Sequence, residues 1–325
     1  MHRIAVDAMG GDHAPAEVVG GVVDSIQAGI DVVLVGDREQ IQPLLDDAGV
    51  DVRVVHASQV IAMSDDPARA IREKKDSSIA KAAALVAAGE AEGLVSAGST
   101  GASLAAAAFI VGRLPGVGRP AIASFFPGKK VILDVGANLS CRAEHLAQFA
   151  VMGSALAEGH FGFRPPRVGL LNIGEEEGKG RDLEKEAYAL IGSLAGIEFV
   201  GNVEGRDIAR DSADVLVTDG FTGNVVLKTA EGASEMVVRT LLAALGEAGL
   251  ELDRGDLVRK ATAQFDPEGV GGAHLLGTKG VVVIAHGSSS RKAVANAIAL
   301  AHEGVEFGLA DHIATGLAQA AVVVG

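Results

Sequence analysis

Glycine and small polar residues follow several short apolar runs of this sequence, and together they could bind a small anion. One such segment, Ser96–Gly101, reads Ser-Ala-Gly-Ser-Thr-Gly and leads into an alanine-rich stretch with helical spacing. The first N–H groups of a helix have no partner within the helix, and the helix dipole favours negative charge there. The pattern therefore predicts a phosphate-binding loop, although one such loop alone is more often only a tight turn with a capping residue.

Five further loops of this kind follow apolar runs elsewhere in the chain. Ligands of open α/β sheets bind beyond the carboxyl ends of the strands. We therefore expect all six loops to meet at one edge of a sheet, in a crevice lined by N–H groups and hydroxyls. The candidate phosphate- and substrate-binding residues in these loops are Asp7, Gly10, Gly11, Asp12, His13, Gly98, Ser99, Thr100, Gly101, Asn138, Thr218, Asp219, Gly220, His286 and Ser288.

A lysine between two glycines is the candidate cation of this crevice. Lys179 stands in Gly178-Lys179-Gly180, at the end of the acidic loop 172–180. Flanking glycines let a backbone approach a ligand closely, and the ammonium group could neutralise a phosphate or an oxyanion. The alternative is that Lys179 only balances Glu175–Glu177 on a solvated loop.

The familiar nucleotide, nucleophile and metal signatures are missing. No Gly-x-Gly-x-x-Gly motif opens the first strand–helix turn, which argues against a dinucleotide site. The segment Gly272–Lys279 resembles a P-loop, but its Thr-Lys order is reversed and we expect its turn to precede a strand. Ser99 is one residue short of a Gly-x-Ser-x-Gly elbow. No His-Glu-x-x-His or comparable spacing predicts a metal site.

The elements that must position these loops are short apolar runs that alternate with alanine-rich helical stretches. Such runs, rich in β-branched residues and bounded by Gly, Asp or Pro, predict buried strands. The alternation predicts an α/β/α sandwich with a large, mostly parallel sheet. We see no linker or repeat, so residues 1–325 are expected to form a single domain. The predicted strands are Ile4–Ala8, Val32–Val35, Val52–His56, Gly93–Ser96, Ala121–Phe126, Val131–Val135, Val168–Ile173, Ile197–Val200, Val215–Thr218 and Val281–Ala285.

One segment, 231–264, contains no strand pattern. The residues on one helical face are Val237, Val238, Leu241, Leu242 and Leu245, and a charged stretch from Asp253 to Lys260 follows. We interpret the segment as a helical hairpin inserted into the domain. Its apolar face could pack in the core or in a dimer, or it could lie in the interface of a membrane.

Composition and charge exclude several classes of function. A net charge of −14 argues against a nucleic-acid-binding protein, because neutralisation of phosphates supplies most non-specific affinity. The single cysteine, Cys141, excludes an internal disulfide and fits a reducing cytoplasm. We see no signal peptide and no apolar stretch long enough to span a membrane, which needs ~20 residues. The sequence therefore predicts a cytoplasmic protein.

Motifs in collinear order along nearly the whole chain match one known family. The opening segment Arg3–His13 reads Arg-Ile-Ala-Val-Asp-Ala-Met-Gly-Gly-Asp-His. Further matching blocks are Arg72–Lys75, Ser96–Gly101, Leu133–Asn138, Glu144–Leu146, Gly169–Gly174, Gly201–Glu204, Val217–Val225 and Ala285–Ser289. In these blocks the chain resembles the bacterial phosphate acyltransferase (PlsX) family of fatty acid and phospholipid synthesis.

The resemblance implies a fold like that of isopropylmalate dehydrogenase and phosphotransacetylase, in a homodimer. It implies transfer of a fatty acyl group from acyl carrier protein to inorganic phosphate, with no metal and no cofactor except the carrier's own phosphopantetheine. It also implies peripheral contact with the cytoplasmic membrane, where a glycerol-phosphate acyltransferase would use the acyl phosphate. Transfer from acyl-CoA, a hydroxyacid dehydrogenase and a non-enzymatic membrane scaffold are the alternatives.

The resemblance also assigns site residues. Lys179 and Asn224 match the family positions associated with catalysis, so Lys179 would neutralise the phosphate or oxyanion and Asn224 would donate a hydrogen bond to it. Asn224 could instead only close a turn. An acidic carrier protein would need a basic patch on this acidic chain, and the candidates are Arg72, Lys74 and Lys75. The alternative for these three is the solvated face of a helix.

Overall fold

The computed structural model describes residues 2–247 and 267–320, and its centre is a single sheet. The strands, numbered in chain order, are β1 (Arg3–Asp7), β2 (Asp31–Gly36), β3 (Val54–His56), β4 (Gly93–Ser96), β5 (Ala121–Phe126), β6 (Lys130–Leu133), β7 (Arg167–Asn172), β8 (Glu198–Glu204), β9 (Val215–Val217), β10 (Ala273–Leu276) and β11 (Val281–Ile284). Their order in space is β3-β2-β1-β4-β11-β10-β5-β6-β9-β7-β8.

Helices cover both faces of the sheet, because most strands are followed by an amphipathic or alanine-rich stretch. The helices are α1 (Ala16–Gln27), α2 (Arg38–Ala48), α3 (Pro67–Glu73), α4 (Ser78–Ala87), α5 (Thr100–Ala106), α6 (Ala143–Phe161), α7 (Asp182–Gly192), α8 (Gly220–Glu247), α9 (Pro267–Val270), α10 (Arg291–Phe307) and α11 (Leu309–Ala320). The α/β/α sandwich with a mostly parallel sheet is thus confirmed, since seven of the ten pairings between described strands are parallel.

The sequence pattern missed one strand, β10. It lies in the segment Gly272–Lys279, where we expected only a turn before a strand. Only four residues long, it begins with Ala273 and His274 and stands between glycines, so it lacks the β-branched run that predicts a strand. It pairs antiparallel with both β11 and β5 and so joins the two halves of the sheet.

The sheet consists of two parallel blocks that run in opposite directions. β3, β2, β1, β4 and β11 run one way. Three antiparallel pairings follow, and β6, β9, β7 and β8 therefore run the other way. The expectation that all six loops leave the sheet at one edge is wrong. The three antiparallel pairings reverse the strand direction between the blocks, so the carboxyl ends of the two blocks point in opposite directions.

The strand ends of the two blocks nevertheless meet at one level of the sheet. The last residue of β6, Leu133, lies at the same height in the sheet as the next-to-last residues of β1 and β4, which are Val6 and Val95. The residues at this level, followed from strand to strand, are Val6, Val95, Val283, His274, Ala123, Leu133 and Val217. Loops from both blocks can therefore reach a common space.

Two apolar cores fill the two faces of the sheet. Alternate residues of each strand point to opposite faces. Ile4 and Val6 of β1 belong to the first core, and Ala5 belongs to the second. The same alternation places two polar side chains, those of Asp7 and Ser96, on the second face, where their strands end.

The segment interpreted as a helical hairpin is described only in its first half. Residues 231–247 continue α8, and the remainder up to residue 264 falls within 248–266, outside the described residues. Val237 and Leu241 are 60% and 57% exposed. The described chain therefore does not bury this face in its own core, as one interpretation required.

The start of α8 lies unusually close to the end of β6. A Cβ added at Gly220 would lie 2.7 Å from the Asn138 carbonyl oxygen and from Asp134 Oδ2. One added at Gly223 would collide with the carbonyl oxygen of Asp134. The helix can approach the strand end this closely only because both positions lack a side chain.

Gly223→Ala should therefore destabilise the protein. Forcing an extra carbon into a packed contact typically costs ~1–3 kcal/mol, and here the obstacle is backbone that cannot rotate away. The matched control is Gly232→Ala on the same helix, where an added Cβ meets nothing within 4 Å. The control should stabilise by up to ~1 kcal/mol, because alanine is the better helix former. Chemical denaturation followed by circular dichroism measures both, and equal midpoints for the two variants would contradict the prediction.

Candidate active site

A cleft of about 620 Å³ opens over the second face of the sheet, where the two blocks meet. Ile122 and Ser124 of β5 form its floor, and α8 forms one wall. The opposite wall is the loop after β11, and the start of α5 contributes Thr100. Of the predicted site residues, the cleft brings together Thr100, Asn224, His286 and Ser288, which come from loops of both blocks.

The lining of the cleft combines polar and apolar side chains. The polar part includes the hydrogen-bonding side chains of Thr100, Ser124, Asn224, His286, Ser288 and Ser289. The apolar part consists of Ile122, Phe125, Phe126, Val135, Leu227 and Val270. A cavity with such a mixed lining can hold a small anion or polar head together with a hydrocarbon.

The loops after β1 and β4 form a compact polar cluster next to the cleft. Asp7 Oδ2 accepts a hydrogen bond of 2.7 Å from Ser96 Oγ. A Cβ added at Gly10 would lie 2.7 Å from the same oxygen and from the Gly98 nitrogen. Burial raises the pKa of Asp7, against the opposing effect of its hydrogen bonds from Ser78 and Ser96. The cluster holds the two loops in contact.

The loops after β1 and β11 are joined by backbone. The Asp12 N–H donates to the Gly287 carbonyl at 2.7 Å, and Gly11 reaches this position at φ 115°. His13 and Ser288 lie together in a shallow depression next to the cleft. Ser288 Oγ is also 2.7 Å from His286 Nδ1. The predicted residues of these loops are therefore neighbours, with His286 and Ser288 in the cleft itself.

The loop after β6 is organised by one buried carboxylate. Asp134 accepts hydrogen bonds from the backbone N–H groups of Gly136, Ala137 and Asn138 and from the Asn138 side chain. Burial outweighs these bonds and raises the pKa of Asp134. Asn138, buried and bound to Asp134 and to the Pro120 carbonyl, supports the cleft from behind and does not line it.

The loop after β9 caps helix α8. Asp219 Oδ1 accepts a hydrogen bond of 2.9 Å from the Thr222 N–H, as an N-capping residue does. Thr218 N–H and C=O bond to the backbone of Leu133 and Asp134. Thr218, Asp219 and Gly220 thus hold the helix in place, and Asn224 follows one turn later, with its side chain 3.8 Å from the position of a Cβ on Gly136.

Ser99 caps a helix. Its Oγ accepts a hydrogen bond of 3.4 Å from the Ala102 N–H at the start of α5. Gly101 packs against Pro67, where an added Cβ would lie 2.5 Å from the Pro67 ring. Of the segment Ser96–Gly101, only Thr100 lines the cleft, while Gly98 and Ser99 line a small enclosed space beside it.

Lys179 does not line the cleft. Its side chain is 47% exposed, and its Nζ lies 3.7 Å from Glu176 Oε2. The contact matches the alternative in which Lys179 balances the acidic loop. However, Arg181, two residues further on, contacts both Glu184 and Asp219, so the loop is fastened to the capping residue of α8.

The sequence reasoning missed Lys228. It stands one turn after Asn224 on α8, lines the cleft, and pairs with Glu231 at 2.8 Å. The signal was the spacing of four residues from Asn224, which places both on one helix face. This spacing would have identified Lys228 if α8 had been assigned to the cleft wall. The sequence alone did not show which face of the helix points towards the cleft.

The predicted carrier patch lies on and just after α3, next to α5. Arg72 and Lys75 are exposed, and the Arg72 guanidinium lies 5.6 Å from the centre of the Phe109 ring. Lys74 contacts Asp65, at an Nζ to Oδ2 distance of 2.5 Å, and the Val60 carbonyl. Because Lys74 is paired internally, Arg72 and Lys75 are the members most open to an external partner.

The sequence and the structure of the chain are similar to those of known proteins. The sequence profile described as "Fatty acid synthesis protein" matches residues 2–312. A protein of Desulforamulus reducens named phosphate acyltransferase is 48% identical over 324 residues, covering 96% of each chain. A phosphotransacetylase from Streptococcus pyogenes has a similar structure, with a TM-score of 0.63, 19% identity and 94% of each chain covered. A putative 4-hydroxythreonine-4-phosphate dehydrogenase from Salmonella typhimurium has a TM-score of 0.55 at 12% identity, covering 93% of this chain and 99% of that one.

Arg181→Gln should weaken the attachment of the loop to α8. The substitution leaves the buried Asp219 carboxylate without its cation, which costs ~1–3 kcal/mol for a buried acceptor that loses its partner. The cost is not larger because Arg181 is itself 61% exposed, so that solvent screens its interaction with Asp219. Burial alone would raise the pKa of Asp219, but the hydrogen bonds from Thr222 and Arg181 outweigh it and hold that pKa below its usual value.

The sign of the pH dependence follows from this lowered pKa. Such a carboxylate contributes stability above its unfolded pKa of 3.8, and the contribution is lost as pH falls through the folded value. The difference between wild type and Arg181→Gln should therefore be full at pH 7 and should shrink below pH ~4. Arg53→Gln, which breaks a pair whose two members are each 48% exposed, is the control. A loss equal to that of this control, or one that does not vary with pH, would contradict the role of Arg181.

Proposed function

The chain belongs to the fatty acid synthesis protein family and is an acyltransferase, and on that premise we propose that it transfers a fatty acyl group from acyl carrier protein to inorganic phosphate. The products are an acyl phosphate and the free carrier, and the acyl phosphate feeds phospholipid synthesis. The family resemblance inferred from the motifs is confirmed by this membership. The substrate, the carrier and the pathway are the proposal.

One observation carries the proposal: a single cleft combines neutral hydrogen-bond donors with an apolar wall. The substrates named above require this combination, because phosphate must be dehydrated and held while a hydrocarbon chain is buried next to it. Within the described lining of the cleft, the formal charges are those of Lys228, Glu231 and Glu268. Backbone N–H groups, hydroxyls and the Asn224 amide therefore supply most of the binding groups for the anion.

The chemistry needs positioning more than acid–base catalysis. A thiol has a pKa of about 8.5, so its thiolate is a good leaving group and the thioester is already activated. A phosphate oxygen forms a bond to the carbonyl carbon while negative charge collects on the carbonyl oxygen. The C–S bond then breaks, and the thiolate leaves and takes a proton from water. Correct orientation can supply ~7–11 kcal/mol of such a barrier, and one placed donor at the oxyanion supplies ~3–4 kcal/mol.

Two groups are proposed for the catalytic roles. Asn224 donates a hydrogen bond to the phosphate or to the developing oxyanion, from its position on the α8 wall facing Gly136. Lys179 supplies positive charge from the neighbouring loop, which requires that its ammonium group leave Glu176 and turn towards the start of α8. Lys228 is the competing candidate, since its side chain already lines the cleft.

The acyl donor is proposed to be carrier protein, with acyl-CoA as the alternative. Arg72 and Lys75 lie beside α5, whose first residue, Thr100, lines the cleft. Positive charge next to the cleft of an acidic enzyme would attract an acidic partner and speed its association. Acyl-CoA has no comparable protein surface and would use only the cleft.

The proposal extends to the assembly and the membrane. α8 presents Met236, Val237 and Leu241, each more than half exposed. We propose that this face contacts a second copy of the chain or a membrane surface during transfer of the product to a glycerol-phosphate acyltransferase. Within the described residues, no helix is both long and apolar enough to cross a bilayer. Light scattering with and without anionic vesicles distinguishes the two contacts.

Thiol release tests the function directly. With long-chain acyl carrier protein, release should depend on added phosphate and should be faster than with the matching acyl-CoA at equal concentration. Release that is equal or faster from acyl-CoA would replace the proposal with the phosphotransacetylase-like alternative. No phosphate-dependent release from either donor would contradict the function altogether.

Lys179→Ala should lower kcat at least ~100-fold, the usual cost of losing one charge-stabilising group, with an unchanged circular dichroism spectrum. Lys185→Ala, an exposed lysine on α7, is the matched control and should keep wild-type turnover. Lys228→Ala is measured in parallel. If Lys228→Ala loses turnover and Lys179→Ala does not, the cation is Lys228, and Lys179 has only the structural role that its contact with Glu176 indicates.

A further inference from the structure

A second cavity of about 520 Å³ adjoins the cleft. Four residues line both spaces, Phe125, Phe126 and Pro127 from the β5–β6 hairpin and Val270 from α9. The second cavity extends from there between the end of α6 and one side of α10. Its further lining is Gly128, Lys129, His160, Phe161, Gly269, Asn296, Ala299, Leu300 and Glu303.

The sheet is incomplete at the boundary between the two spaces. β10 pairs with β5 only from Ala121 to Ala123, whereas β6 pairs with β5 as far as Phe126. The end of the β5–β6 hairpin therefore projects beyond β10. Phe125 packs with the core of the first face and Phe126 with the core of the second. The two cavities thus lie on opposite faces and meet around this hairpin end.

The interior of the second cavity is mainly apolar, and its His160, Glu303 and Asn296 side chains are already paired. Phe125 stacks on the His160 ring with 4.1 Å between centroids and contacts Phe161 edge-on at 5.4 Å. His160 Nδ1 lies 3.2 Å from Glu303 Oε2. The Asn296 amide donates to the carbonyls of Glu268 and Gly269. Such a lining offers a polar ligand little to bind, whereas a hydrocarbon would replace the water there.

We infer that the second cavity receives the distal part of the fatty acyl chain. The four residues that line both spaces mark the point where the chain passes from the cleft. The inference rests on the proposed function. It commits to the acyl chain because the thioester must lie near the polar groups of the cleft, and the chain must then extend along an apolar path. The residues shared by the two cavities provide that path.

The second cavity would make the enzyme selective for chain length. Each methylene removed from water is worth roughly fourfold in binding. Chains that end within the cleft gain nothing from the second cavity, and longer chains gain with each carbon that enters it. The specificity constant should therefore rise with chain length beyond the point where the chain reaches Phe125.

Ala299→Phe tests the inference, because it fills the second cavity without touching the cleft. It should lower kcat/KM for long-chain acyl carrier protein at least ~10-fold, the equivalent of about two methylenes, and leave short-chain substrates unchanged. Ala295→Phe, one turn earlier on α10 and outside both cavities, adds the same bulk as a control. An equal effect on all chain lengths, or no effect, would overturn the inference.

Fluorescence provides a second measurement that needs no turnover. The chain has no tryptophan, so Phe161→Trp places a single tryptophan, which can be excited selectively over Tyr188, in the second cavity. Phe199→Trp, next to Tyr188 and away from both cavities, is the control. A long-chain fatty acid brominated at its methyl end should quench Phe161→Trp only. Quenching of neither or of both variants would overturn the inference, whereas absent thiol release with selective quenching would overturn only the proposed reaction.

Discussion

The contact between the start of α8 and the end of β6 is the constraint on which the candidate site depends. Asp134 holds the loop after β6 with hydrogen bonds to successive N–H groups, and α8 rests on the same residue through two glycines. The Gly220 N–H also donates to the Asn138 carbonyl at 2.8 Å. This contact turns α8 back across the second face of the sheet. Without it, Asn224 and Lys228 would not face the loop after β11, and the two blocks would share no cleft.

The negative net charge of the chain is compatible with the binding of an anion by neutral hydrogen-bond donors. With a net charge of −14, the protein as a whole repels phosphate. Under the proposed function, hydroxyls and the Asn224 amide of the described cleft lining bind the anion, and the lysine of that lining, Lys228, is paired with Glu231. Neutral donors bind an anion without a large opposite charge that would also have to be desolvated. Buried acids such as Asp7 and Asp134 stand behind the loops, where burial raises their pKa values.

The sequence predicted the fold class because its strands are buried parallel runs of Val, Ile and Leu with glycine at their ends. It missed β10, which has little β propensity and is a strand only because β11 and β5 lie on either side of it. Because β10 is antiparallel to both of its neighbours, it also determines in which direction the strands of the second block run. The edge of the sheet at which each loop emerges could therefore not be predicted either. Thr100, His286 and Ser288, which were predicted from loop chemistry, and Asn224, which the family resemblance added, line the cleft, and their binding of substrate stays a prediction. Asn138, Thr218 and Asp219 have the same residue types but support the backbone, a distinction that depends on three-dimensional packing.

The position of β11 has a consequence for how the protein matures on the ribosome. Although it is the last strand of the described residues, it is inserted between β4 and β10 near the middle of the sheet. The loop that follows it, with His286 and Ser288, completes one wall of the cleft. A nascent chain can assemble β1 to β4 early, but it has an open seam beside β4 until residues 273–290 emerge. The wall that carries His286 and Ser288 therefore forms only after these residues have emerged, and a chain truncated before them lacks that part of the cleft.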